Sequence, residues 1–229
     1  MRTLFLVVIT IGPRLWAEGI SSADRAYLLA HLEMTRDFAR DATRGLTKEE
    51  WLFKPAPLRW SIAQCIDHVA RSEEYAVKLV RERVLKSERP LLGAFPSTAK
   101  GRTATLEKPR RMSPLDDAVI LRWMTDRTSA LATPIEERPP IEEIAPRSSF
   151  DDPLSALAHF LQVRAATIEY VKTTEDDLRG HFTQAVLSGF PDVKFHDAYQ
   201  WLLRMSVHSE RQMQVQEVRR AEGYPNATR

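Results

Sequence analysis

The sequence predicts an all-α fold, a four-helix bundle with long irregular crossover connections. Three observations carry that prediction. Four long segments, beginning near Ser22, Ser61, Asp152 and Phe195, place apolar residues at the three- and four-residue spacing of an amphipathic helix. The stretches from Lys78 to Arg111 and from Asp126 to Asp152 are interrupted by prolines. With 229 residues, 43% of them hydrophobic, the chain can bury a full core in one domain.

The first helix is expected from Ser22 to about Thr43. Ser22 can cap it, Asp24 lies in the first turn where an acidic group favours the helix, and Gly45 follows its end. Leu28, Leu32, Thr35, Phe38 and Ala42 form its core stripe. His31 stands at the margin of that stripe and is expected to bond a carbonyl or water. A short helical turn at Leu46–Trp51 and an extended linker at Lys54–Pro57 come next.

The second long helix has the strongest start in the sequence. Ser61 with Gln64 three residues on makes a capping box, and Trp60 can pack on Cys65 as a hydrophobic staple. Ile62, Cys65, Ile66, Val69, Ala76 and Val80 supply the apolar face through about residue 88, with His68 on its flank beside Ser72 and Leu79. Lys78 to Arg111 then carries ten basic residues against three acidic ones. A nucleic-acid surface would need interleaved aromatics, and Phe95 stands alone, so this is read as a solvated helix end and loop. A short helix is expected over Asp116–Thr125, followed by an irregular segment to Asp152 of the kind that covers or lines a site.

Asp152 and Pro153 open the third long helix, for which Leu154, Leu157, Leu161, Ala165 and Ile168 supply the stripe and His159 lies off it, exposed. After a connector containing His181, the last helix runs from Phe195 to about Ala221. Ala198, Trp201, Leu202, Met205, His208, Gln212 and Val215 share one stripe of it. His208 and Gln212 interrupt that stripe one turn apart and can reach a single point, where a buried polar pair needs a partner such as a metal ion.

Composition excludes several classes. A formal charge of +2 gives no field that would gather nucleic acid. A single cysteine, Cys65, rules out an internal disulfide framework and a clustered-cysteine zinc site. No phosphate-binding loop and no Gly-x-Ser-x-Gly elbow occurs. The N-terminal residues read as a secretory signal peptide over 1–17: a basic Met1-Arg2, an apolar run to Ile11, the Gly12-Pro13 break and a small residue at Ala17. Residues 18–229 then form one domain without a membrane span, placing the protein in the periplasm or outside the cell. If the leader is not cleaved, the location is cytoplasmic.

Two helical motifs resemble one known family. Trp60-Ser-Ile-Ala-Gln-Cys-Ile-Asp-His68 is similar to the start of the second helix in the DinB/YfiT-like superfamily, and Asp197-Ala-Tyr-Gln-Trp-Leu-Leu203 with His208-Ser-Glu-Arg-Gln-Met-Gln-Val-Gln216 is similar to its last helix. Glu175–His181 looks like its connector, and the resemblance covers roughly residues 22–220. It implies a four-helix bundle, often dimeric, holding a divalent metal on three histidines, one from the second helix and two from the last. Characterised relatives include thiol-dependent S-transferases.

Position by position, the resemblance implies metal ligands at His68 and His208, with Gln212 where the third histidine would stand. A glutamine carbonyl is neutral and a poorer donor than imidazole to zinc or nickel, so such a site binds more weakly. His31 or His181 could replace it if the fold brought either near. The resemblance therefore implies a metal-dependent transferase or hydrolase acting on a small molecule, in a chain that can form a homodimer. The competing reading is a metal-free, non-catalytic bundle in which the three side chains satisfy one another.

Overall fold

In the computed structural model, residues 19–54, 59–87, 114–125, 142–184 and 195–221 are described. The long helices are α1 (Ser22–Ala42), α3 (Ile62–Leu79), α5 (Leu154–Thr173) and α6 (Ala198–Ala221). Between them stand the short α2 (Lys48–Leu52) and α4 (Pro114–Thr125), and a 3-10 turn at Glu142–Ile144. The fold is all-α, as expected, and the long helices pack as a bundle. None of the described helices is long and apolar enough to cross a membrane. The leader at 1–17 and most of the two crossovers lie outside the described residues.

Local chemistry sets the helix starts. Ser61 and Gln64 close a capping box on α3, each side chain bonding the other's backbone amide at 3.3 and 3.1 Å. Thr47 and Glu50 do the same on α2, which seats the buried Trp51. Ser21, one residue before the expected Ser22, caps α1, and the Asp152 carboxylate accepts from the amide of Leu154 at the start of α5. Beyond Leu79, α3 widens into a π turn at Val80–Val84.

The start of the last helix departs from expectation. Phe195–Asp197 is a three-residue strand, β2, paired antiparallel with β1 (Phe182–Gln184), with Thr183 opposite His196. The helix begins only at Ala198. Asp197 accepts from the Gln200 amide at 2.6 Å while its own amide donates to the Gln200 side chain at 3.2 Å. This reciprocal cap ends the strand and starts α6.

Helix directions follow from end-to-end contacts. Arg25, at the start of α1, donates to the carbonyls of Val171 and Thr174 at the end of α5, so those helices are antiparallel. The same guanidinium satisfies carbonyls that a helix end leaves without partners. Arg179 ties the connector to α1, α4 and β2 through Asp24, Asp117 and Asp197, and lies 3.6 Å from the Tyr199 ring centroid. Gln200 adds a bond to Asp117 at 2.9 Å, holding α4 against α6.

The core is divided by a polar layer. One cluster contains Leu28, Leu32, Val80, Val171, Leu202 and Leu203; the other contains Trp51, Ile62, Ile66, Phe160, Val163 and Met213. Between them Arg164, fully buried, donates to Glu73, the Leu32 carbonyl, Thr35 and Ser209, joining all four long helices. The inward face of α5 is offset from the expected stripe, of which Ile168 stays in the core and Leu157 and Leu161 pack at its edge. Ala156, Phe160, Val163, Thr167 and Val171 face inward, while Leu154 is 55% exposed and Ala165 lies outside.

Candidate functional site

His68 and His208 come together. They project from α3 and α6, which pack side by side, and their ring centroids lie 5.1 Å apart at 89°, edge to face. Gln212, one turn beyond His208, places its amide nitrogen 3.3 Å from His208 Nε2. His68 and Gln212 are buried and His208 partly so. The site lies on the flank of the α6 core face, which Leu202, Leu203, Ser206, Val207 and Met213 form.

Each ring's tautomer can be read from its partner. His68 Nδ1 stands 2.7 Å from the carbonyl of Ile144, which can only accept, so Nδ1 carries the proton and Nε2 holds a lone pair. The His208 Nε2 lone pair faces the Gln212 NH2. Burial pushes the His68 imidazole below its usual value, against the opposing pull of the Ile144 carbonyl and Asp67. Burial also drives His208 well below that value, and His68, Arg204 and Arg211 add to the effect. Both rings are therefore neutral at pH 7, the form that donates to a metal.

An aromatic ring and a cation lie near the two histidines. The Trp60 ring lies 4.7 Å from the His68 ring, centroid to centroid. Arg204, one turn before His208, lies over Trp201, and burial lowers its guanidinium to about 10.

The donor set can be tested against a metal. Among the described residues no three His, Cys, Asp or Glu side chains gather closely enough to hold an ion, so a third donor has to come from another residue type. Gln212 Oε1 meets that need: it is buried and has no hydrogen-bond partner among the described residues. Two imidazoles on one tetrahedral ion would have centroids about 5 Å apart at ordinary metal–nitrogen distances, in line with the separation found here. That separation and the free Gln212 oxygen are compatible with His68, His208 and Gln212 approaching one divalent ion.

The alternative ligands are engaged elsewhere. His31 Nδ1 pairs with Ser206 Oγ at 2.8 Å and its Nε2 lies 3.7 Å from Glu210. Residues two apart on a helix point to nearly opposite sides, so Ser206 and Glu210 face α1 while His208 and Gln212 face α3. His181 Nδ1 donates to the Ser87 carbonyl at 2.9 Å. His159 is half-buried, 3.1 Å from Glu74 and 3.7 Å from Asp67, where the sequence pointed to an exposed ring.

Neither carboxylate next to a ligand in sequence faces the site as a base. Glu210 pairs with His31. Asp67, fully buried, accepts from Arg71 and Arg147. Burial pushes the Asp67 carboxyl up, but the Arg147 amide and the two guanidiniums hold it below the usual carboxylate range. Sequence reasoning missed this cluster because its halves stand about eighty positions apart.

A helical bundle with facing histidines on its second and last long helices defines the class. The model of the DinB superfamily matches residues 31–214, and the chain belongs to that superfamily. No curated protein and no solved structure matches the chain.

Proposed function

We propose that this chain is a divalent-metal-dependent transferase or hydrolase, of the thiol S-transferase type, with a His/His/Gln site. One observation carries the reading: two neutral imidazoles meet edge to face beside a buried glutamine oxygen that has no partner among the described residues. Native proteins rarely leave such an atom unsatisfied, and a ligand is one cause. Zinc or nickel held by His68, His208 and Gln212 would supply Lewis acidity, polarising a small electrophile or acidifying a water or thiol beside it.

The chain's own residues do the rest. Ile144 fixes the His68 tautomer, Trp60 shields that ring, and Arg204 sets a positive charge one turn from His208. The apolar run at residues 4–11 supports an exported protein. Export would separate it from cytosolic thiol cofactors, which favours hydrolysis or an extracellular thiol.

A metal-free, non-catalytic bundle is the second reading, and the bond between Gln212 and His208 favours it. Zinc, nickel and chelator titrations followed by thermal unfolding separate the two. The metal reading expects zinc or nickel to raise the melting temperature of the wild type, Gln212→His to strengthen that response, and His208→Ala to abolish it. Equal insensitivity of the wild type and Gln212→His would leave the metal-free reading.

A further inference from the structure

The segment that carries Ile144 reaches α3 through several bonds, all made by one turn of that helix. Asp67 Oδ2 accepts from the Arg147 backbone amide at 2.8 Å, and Oδ1 accepts from its guanidinium at 3.0 and 3.1 Å. Gln64 Nε2 donates to the Arg147 carbonyl at 3.1 Å. Three residues earlier, the Ile144 carbonyl accepts from His68, and Ala145 closes the 3-10 turn onto Glu142 at 3.2 Å. Gln64, Asp67 and His68 thus hold a single irregular strap, and of these three Asp67 is the one that supplies a charge.

We infer that Asp67 is the positioning residue for His68, acting through Arg147 to seat the Ile144 carbonyl that fixes the imidazole's tautomer and orientation. An irregular backbone has no ladder to hold its carbonyls in place, so the position of Ile144 depends on its anchors. The Asp67–Arg147 contact is a charged one made where the carboxylate is fully buried, and it fixes the strap three residues from the atom His68 needs. Without it, the imidazole could rotate or move its proton to Nε2. Outer partners of a ligating histidine set its tautomer in this way.

The consequence for metal affinity rests on the proposed function; the tautomer does not, and it is measured in metal-free protein. In wild type, ¹⁵N-edited NMR of the imidazoles should report His68 protonated at Nδ1. Asp67→Asn should convert it to a mixture with the Nε2-protonated form and weaken zinc binding roughly 10–100-fold. Arg71→Gln removes the other guanidinium on Asp67 without touching the strap and should leave the His68 signal unchanged. If Asp67→Asn does not fold, Arg147→Met at the partly exposed end of the pair carries the same measurement. An unchanged Nδ1-protonated signal in whichever variant folds overturns the inference. A wild type that ignores zinc while the tautomer still shifts overturns the metal reading alone.

Discussion

Replacing Gln212 by leucine should make the metal-free protein more stable and the metal-loaded protein less so. The side chain is 5% exposed, and leucine has a similar volume, so the packing of the site is kept. Leaving Oε1 buried without a partner costs about 1–3 kcal/mol. The bond from Nε2 to His208 returns about 0.5–1.5 kcal/mol. With the partly exposed His208 lone pair turning to water in place of the amide, removing both leaves a net gain on the order of 1 kcal/mol, or roughly 2–4 °C in melting temperature for a chain of this size. Zinc at a hundred times its dissociation constant would stabilise wild type by about 2.7 kcal/mol, and a variant with one ligand fewer by less, so the ranking inverts. Circular-dichroism melts in chelator and in zinc read both halves. A variant less stable than wild type in chelator would show that Oε1 is already satisfied. Equal zinc responses would show that Oε1 is not a ligand.

The central ion pair gives a second test: Arg164→Met should cost about 3–5 kcal/mol in denaturant unfolding because Glu73 is left buried without its guanidinium, and adding Glu73→Leu should recover most of the loss. Additive losses in that cycle would mean the pair is not coupled. Asp197 supplies a pH test. Burial raises its carboxyl to about 7, against the opposing pull of Arg179, so the folded state holds a proton that the unfolded chain releases near 4. Stability from this group is fully present below about pH 4 and lost as pH rises through about 7. Asp197→Asn, which keeps the capping oxygen, should flatten that slope in urea midpoints taken from pH 4 to 8. Mass spectrometry of the protein made in its own cells should find residues 1–17 removed, and an intact Met1 would argue against export.

What could be read from the sequence follows the range of the interactions. The Ser61/Gln64 box is local and was legible as a short-range pattern, while at Thr47/Glu50 the helical turn was legible and its box was not. His208 and Gln212 were legible as an i, i+4 pair, and His68 through a motif around the same cap. Phe195–Asp197 was not, since three residues show no period that separates a strand from the first turn of a helix. The Asp197-x-x-Gln200 cap was the available signal. Arg164 was invisible for a different reason. A guanidinium on a helix reads as solvated, and the leucines at 154, 157 and 161 drew the stripe to the neighbouring face, yet its four partners come from α1, α3 and α6.

The two polar centres of this bundle differ in a way that bears on function. Arg164 reaches a carboxylate, a carbonyl and two hydroxyls, so its layer is closed and requires nothing further. The layer at Gln212 is open among the described residues, because one amide carries both a bond to His208 and a buried oxygen with no bond to any of them. A histidine there could hold only one ring nitrogen toward the centre at a time. Glutamine presents a donor and an acceptor from the same group, and in the metal-free form its NH2 covers the lone pair of His208. An ion entering the site has to displace that bond, which costs about 0.5–1.5 kcal/mol, up to about tenfold in affinity, before the weaker amide donor is counted. If the proposed metal site holds, Gln212 would lower affinity twice, once as the poorer ligand and once as a competitor for its neighbour, and Gln212→His would remove both effects together while Gln212→Leu would remove only the second.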